Sequence, residues 1–174
     1  MKGRTVSFGT IVAAIVFLSP GQVLANQFVT GSSSNANVPI NSVGWVVIRS
    51  ATVVIPTTDA LAHGCVATAS ADMDHNGLAG VENHYWFALS LNNANPITNT
   101  GSERTLELVD NAGIEDPDSK PVSTTQHYNG LTKTNGYNGG GSHTFYFLGR
   151  KEAVGTLNAD VLDASLSVSC VHTP

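Results

Sequence analysis

The sequence predicts an all-β chain that folds as a single antiparallel β-sandwich or jelly roll with at most one short helix. Two observations lead to this prediction. Apolar and polar residues alternate with a period of two over several stretches, and Gly, Pro and Asn-rich turns separate those stretches. The length of 174 residues fits one domain. We therefore expect a leader at 1–25, a polar segment at 26–42 and a sandwich domain at 43–174.

Residues 1–25 have the layout of a secretory signal peptide. Lys2 and Arg4 precede an uncharged, mainly apolar run at 8–18, and small or short side chains at Val23–Ala25 favour cleavage after Ala25. The run is shorter than the roughly 20 residues that cross a bilayer. The sequence thus predicts export to the periplasm, the cell surface or the extracellular space, with no transmembrane span in the mature protein.

The segment at 26–42 is rich in Asn and Ser and carries no formal charge. This composition predicts a flexible polar lead-in to the domain. Two short apolar elements, Phe28-Val29 and Val38–Ile40, leave a second interpretation open. Because sheet edges offer unpaired backbone groups, the segment could add to an edge of its own sheet or of a neighbouring copy.

Seven strands are predicted in the domain, and each has its own signal. The stretch 45–55 is rich in β-branched residues, with an expected bend near Arg49, and 84–92 alternates aromatic with polar residues. The even positions of 162–170 are apolar from Leu162 to Cys170, as are most odd positions of 61–73. Shorter β-rich runs complete the set: 104–109, 123–128 and 143–148. The one helical alternative is a short turn within 151–164, which Gly155 weakens.

Cys65 and Cys170 are the two cysteines of the chain, and both fall on apolar strand faces. Export would deliver them to an oxidising compartment, where cysteine pairs form and persist. We therefore expect a disulfide between them on the core side of the sandwich. Two free buried thiols and an intermolecular bridge are the alternatives.

The segment Asp72-Met-Asp74-His-Asn76-Gly77 resembles the first half of an EF-hand calcium loop. Its second half departs from that pattern, because Glu82 lies one place before the position of the bidentate ligand and the flanks are predicted strands. The candidate metal ligands are Asp72, Asp74, Asn76 and Glu82, in a loop between two strands. A polar hairpin turn is the simpler alternative. No cofactor is required by the sequence, and calcium is the candidate ion for this loop.

The six histidines show no recognised zinc spacing. His84 and His143 each begin an aromatic strand, so their rings could hold a transition metal if the two strands were neighbours. His63 lies on an apolar face and is interpreted as a core histidine with its hydrogen bonds satisfied, rather than as a metal ligand. Trp86 is predicted to face outward, where it could stack on a sugar or a partner or, equally, cover the edge of the sheet.

The formal net charge of −5 argues against a nucleic-acid surface. No G-x-S-x-G elbow occurs, and we assign no catalytic residue. The sequence favours an exported, non-enzymatic binding or structural module of a bacterial envelope or extracellular matrix. Its expected partners are a saccharide, a surface or matrix protein, or a second copy of itself. The alternative is a small secreted hydrolase or metal-dependent enzyme that uses carboxylates among residues 103–118.

Overall fold

The computed structural model describes residues 27–74, 82–96, 103–109 and 120–173. Within these ranges the chain forms nine strands: β1 (Phe28–Ser34), β2 (Val38–Ile40), β3 (Val46–Val54), β4 (His63–Asp74), β5 (Glu82–Leu91), β6 (Arg104–Val109), β7 (Lys120–Leu131), β8 (Ser142–Lys151) and β9 (Ala159–His172). A short 3-10 turn at Tyr137–Gly139 is the helical element of the described part. The predicted signal peptide at 1–25 lies outside the described residues. In the ranges above, no helix has the length and apolar character needed to cross a membrane.

The strands form two antiparallel sheets that pack face to face. Sheet A has the order β1-β9-β4-β7, and β2 continues the β1 edge along β9. Sheet B has the order β3-β8-β5-β6. This arrangement confirms the predicted all-β sandwich. No helix forms over 151–164, because residues 159–164 belong to β9. The segment before β9 holds a short turn, in which the Thr156 amide donates to the Ala153 carbonyl at 3.2 Å.

The core lies between a sheet face of small residues and a sheet face of large ones. The inward positions of β4, the strand flanked by β9 and β7, alternate as predicted and include Ala67, Ala69 and Ala71. Sheet B supplies buried aromatic rings to the same cluster, from Tyr85, Phe87, Phe145 and Phe147. Large side chains opposite small ones fill the roughly 10 Å between two packed sheets without voids.

The N-terminal segment differs from the expectation of a flexible lead-in. Residues 28–34 pair with 164–170 of β9, and residues 38–40 pair with 159–161. The segment therefore takes the second interpretation in its intramolecular form and covers one edge of sheet A. Composition underestimated its order because the pairing satisfies backbone groups, which a serine supplies as well as any other residue.

The alternation predicted over 162–170 fails at Leu162, the first residue of that stretch. Leu162 is only half-buried, whereas Ala159, Val161 and Ala164 are buried. The pairing of β4 with β9 shifts register at this point, and Asp163 adopts a φ of 35°. A bulge inserts one residue and so exchanges the inward and outward positions on its two sides. From Ala164 to Cys170 the predicted alternation holds.

A second bulge, in β3, carries Arg49 into the space between the sheets, near the bend expected from the sequence. The pairing with β8 shifts between Val47 and Arg49, and Arg49 is buried. Its guanidinium donates to the carbonyls of Ile48 at 2.6 Å, Ser34 at 2.6 Å and Ala164 at 3.1 Å. These bonds link sheet B to β1 and β9 of sheet A along one side of the sandwich.

The predicted disulfide between Cys65 and Cys170 is present. The two residues are direct partners on the neighbouring strands β4 and β9, with a Cα–Cα distance of 4.0 Å. Both are buried on the core side, as their strand registers predict. The bridge joins two strands of one sheet and closes a chain separation of 105 residues.

Candidate functional site

The outward surface of sheet A carries two adjoining rows of small residues, which we call the hydroxyl face. The first row has a serine on each of four neighbouring strands: Ser33, Ser165, Ser70 and Ser123. The second row, two positions along each strand, consists of Gly31, Ser167, Thr68 and Thr125. All of these residues are exposed except Ser165, which is half-buried. Period-two alternation turns them to solvent because the residues between them fill the core.

The hydroxyls of this face are ordered by bonds to one another. Ser70 Oγ lies 2.9 Å from Ser165 Oγ, and Thr68 Oγ1 lies 3.3 Å from Thr125 Oγ1. A hydroxyl has one donor and two acceptor lone pairs, so each retains capacity toward solvent after such a bond. None of the eight residues carries a charge. The face is therefore an uncharged array of hydrogen-bonding groups rather than a typical lysine- and glutamate-rich outer sheet surface.

Two of the predicted calcium ligands lie beside the hydroxyl face. Asp72 and Asp74 follow Ser70 on the outward side of β4, and Asp74 pairs with Asp160 of β9. Asn76 lies outside the described residues, and Glu82 is the first residue of β5 in sheet B. The structure thus places Asp72 and Asp74 on one face, and the calcium loop stays a prediction.

The strands of His84 and His143 are neighbours, but the two rings do not meet. Strands β5 and β8 are antiparallel, so their first residues lie at opposite ends of the pair. His84 is half-buried, with Nδ1 2.6 Å from Glu152 Oε2 and Nε2 3.8 Å from Glu107 Oε2. The buried His143 donates from Nε2 to the Thr132 carbonyl at 2.9 Å. A metal held by this histidine pair is excluded.

Trp86 faces outward on sheet B as predicted, but its ring is not an open platform. The Arg150 guanidinium carbon lies 5.4 Å from the Trp86 ring centroid and 4.8 Å from that of Trp45. The Trp45 indole N–H donates to the Pro96 carbonyl at 3.0 Å. Both rings are half-buried, and the guanidinium covers ring surface on which a sugar would stack.

A second group of functional side chains, the histidine cluster, lies at one end of sheet A. It consists of Asp59, His63 and His172. His63 begins β4, His172 ends β9, and the two are direct cross-strand partners with ring centroids 4.5 Å apart. Asp59 Oδ2 lies 3.5 Å from His63 Nε2 and 3.2 Å from His172 Nε2. Two imidazole nitrogens therefore converge on one carboxylate oxygen.

The histidine cluster is mostly closed to solvent. His63 is fully buried, Asp59 is buried and His172 is half-buried. Burial lowers the pKa of His63 below its ordinary value of 6.5, and the nearby His172 lowers it further. The Asp59 carboxylate and backbone hydrogen bonds with Leu131 and Leu61 act in the opposite direction, but their effect is smaller than that of burial. The interpretation of His63 as a core histidine is correct for its position. It missed the two polar partners that the fold brings to the ring.

Neither the hydroxyl face nor the histidine cluster was predicted as a site from the sequence. The signal for the hydroxyl face was present in the outward positions of three predicted strands, which read as runs of Ser and Thr. The signal for the cluster was weaker, because Asp59 lies in a loop and His172 lies 109 residues after His63 in the chain. Strand pairing brings the two histidines together, and the loop between β3 and β4 adds Asp59.

No known family model matches this chain, and no curated protein or solved structure matches it.

Proposed function

We propose that this chain is an exported, non-catalytic binding module that attaches to a neutral polysaccharide through the hydroxyl face. The observation that carries the proposal is the four-strand array of uncharged hydroxyls, ordered by the Ser70–Ser165 and Thr68–Thr125 bonds. Export is supported by the Cys65–Cys170 disulfide, because such bonds persist in oxidising compartments.

The chemistry of the hydroxyl face selects the ligand class. An array without charge gives no electrostatic attraction to a phosphorylated or sulfated polymer, while the chain as a whole is acidic. Hydroxyls recur about 4.8 Å apart across strands and about 6.7 Å apart along them. A repeating array on an open sheet suits an extended polyhydroxylated ligand, whereas small molecules are usually held in concave pockets.

The chain provides its own matched control for the test. Thr68 and Thr125 form a cross-strand threonine pair on the hydroxyl face, and Thr52 and Thr144 form the same kind of pair, at 3.0 Å, on sheet B. The double variant Thr68→Val/Thr125→Val removes two hydroxyls but keeps the side-chain shape and strand propensity. At about 1 kcal/mol for each lost hydrogen bond, affinity should fall about 30-fold.

Binding is measured by co-sedimentation with insoluble cellulose and chitin and by a neutral glycan array. The wild type and the Thr52→Val/Thr144→Val control should sediment with the polysaccharide alike, and the hydroxyl-face variant should stay in the supernatant. Absence of binding to every neutral polysaccharide, or equal weakening by the control, would remove the proposal. Release of sugar by the purified protein, abolished by one carboxylate or histidine substitution, would instead support the hydrolase alternative.

A further inference from the structure

The histidine cluster has the ligand atoms of a metal site on a pre-organised frame. The frame is built by strand pairing: His63 and His172 are direct partners at the ends of β4 and β9, two residues from the disulfide on each strand. The chain after β9 is held by the Thr173 amide, which donates to the Ala62 carbonyl at 3.0 Å. The imidazoles are therefore placed by the backbone on both sides.

Asp59 is oriented so that one carboxylate oxygen lies close to both histidines. The Leu61 amide donates to Asp59 Oδ1 at 3.0 Å, and the Asp59 amide donates to the Pro56 carbonyl at 2.9 Å. These bonds fix the turn and direct Oδ2 toward both Nε2 atoms. The three candidate ligand atoms all lie within 4.8 Å of one another.

His63 brings a fully buried imidazole to the cluster. Its Nε2 lies 3.5 Å from Asp59 Oδ2, and backbone groups of Leu61 and Leu131 also face the ring. The Phe28 ring packs edge-on against the imidazole, with the ring centroids 5.2 Å apart. His63 Nε2 therefore faces the Asp59 carboxylate from a buried position, beside the Nε2 atom of His172.

We propose that Asp59, His63 and His172 bind a Zn²⁺ ion through Oδ2 and the two Nε2 atoms. In a tetrahedral zinc site with bonds of 2.0–2.2 Å, neighbouring ligand atoms are separated by about 3.3–3.6 Å. The Nε2–Oδ2 separations of 3.5 and 3.2 Å are close to that range. The carboxylate offsets part of the ionic charge in this buried place, and the half-buried side of His172 leaves a route for the ion and a position for a fourth ligand.

This ion would tie the loop after β3 to the last residues of β9. Nitrogen ligands favour zinc over calcium, which takes oxygen ligands. The site is therefore chemically distinct from the calcium loop predicted at Asp72 and Asp74. It is also independent of the hydroxyl face, which lies on the solvent side of sheet A while His63 lies on the core side.

The test uses the disulfide-bonded chain purified after export, without a polyhistidine tag, and measures Zn²⁺ binding by calorimetry and by metal analysis after dialysis. We expect one ion per chain and a higher unfolding temperature with Zn²⁺. His172→Gln should weaken binding by more than about 100-fold, since loss of even an outer partner costs 10–100-fold. His127→Gln removes an exposed histidine of β7 and should bind as the wild type does.

A readout on the wild type covers the case in which His172→Gln fails to fold. Diethyl pyrocarbonate modifies free imidazoles, and mass spectrometry locates the product. Zn²⁺ should protect His172 and leave His127 reactive. Equal modification of His172 with and without Zn²⁺, the absence of stoichiometric binding, or unchanged affinity in a folded His172→Gln variant would each overturn the proposal. A Ca²⁺-dependent rise in unfolding temperature that Asp74→Ala removes would indicate the predicted calcium loop and not the histidine cluster.

Discussion

Two buried tyrosine hydroxyls in the sandwich have opposite hydrogen-bonding states, and this predicts opposite effects of the same substitution. Tyr85 is fully buried, and its hydroxyl donates to the Leu157 carbonyl at 3.0 Å. The hydroxyl oxygen of Tyr128 is buried without a hydrogen-bond partner in the described part of the chain, and its ring packs edge-on against Phe145 at 5.3 Å. Burial raises the pKa of Tyr128, since the phenolate would lose its hydration there.

The expected magnitudes follow from the cost of buried polar groups. Tyr85→Phe removes the hydrogen bond to the Leu157 carbonyl and should lower the free energy of unfolding by about 1–2 kcal/mol. Tyr128→Phe removes an unsatisfied hydroxyl while keeping the ring contact, so it should raise the free energy of unfolding by about 1 kcal/mol. The two variants delete the same atom, and their difference of about 2–3 kcal/mol reports the bonding state alone.

Urea unfolding followed by fluorescence measures both variants, and an unchanged m-value shows that the unfolded state is the same. A spectrophotometric titration supplies an independent check. The wild type should contain a tyrosine that ionises above the ordinary pKa of 10, and Tyr128→Phe should lose that transition. If Tyr128→Phe destabilises the protein by about 1 kcal/mol or more, the hydroxyl is satisfied in solution and the reasoning fails.

Three further predictions concern the disulfide, the inter-sheet arginine and the buried histidine. The double variant Cys65→Ala/Cys170→Ala should lose roughly 4.7 kcal/mol of unfolding free energy, because the bridge closes 105 residues of the unfolded chain. Urea unfolding measures this loss, and a value below about 1 kcal/mol would refute the chain-entropy account. Arg49→Met should lower the free energy of unfolding by about 3 kcal/mol, because it leaves carbonyls on both sheets without their charged donor. Arg49→Lys should lose less than Arg49→Met in the same urea assay, but should remain less stable than the wild type. With EDTA present, stability should fall as the pH drops below 6.5, because the pKa of His63 is lower in the folded chain and the unfolded chain therefore binds more protons than the folded one at such pH. A urea midpoint that stays constant between about pH 7 and pH 5 would contradict this prediction.

The regular strands were predictable because apolar and polar residues alternate along them with the same period of two as buried and exposed positions. Every odd position of β4 from His63 to Met73 is buried, as the sequence analysis expected for that face. The register of β9 before Ala164 was not predictable in the same way. Its bulge at Asp163 depends on a register shift against β4 and lies beside the Ala164 carbonyl that Arg49 binds. Both are tertiary features with no local sequence signal.

The N-terminal segment shows a different limit of sequence reasoning. Its serines suggested a polar linker, yet residues 28–34 form a strand that turns Gly31 and Ser33 to the hydroxyl face. Composition reports how much apolar area a segment can bury. It does not report whether a sheet edge offers backbone partners, and the partner here is β9, which lies more than 120 residues later in the chain.

The two candidate sites share one determinant, the register of β4 against β9, and the disulfide defines it. Because Cys65 and Cys170 are direct partners on antiparallel strands, each step away from one cysteine pairs with the opposite step from the other. Two steps outward place His63 opposite His172, and five steps inward place Ser70 opposite Ser165. The sequence predicted the bridge but not that it joins adjacent strands of one sheet, so this register could not be read from it.

The bridge also prevents the slips to which this strand pair is prone. Small alanine, serine and threonine side chains specify register weakly, because one such residue fits nearly as well as the next. A slip of one residue would turn the hydroxyls of one strand into the core. A slip of two would keep both faces but separate His63 from His172 and Ser70 from Ser165. The covalent bond between Cys65 and Cys170 forbids both, so the disulfide holds together the geometry on which either proposed activity depends.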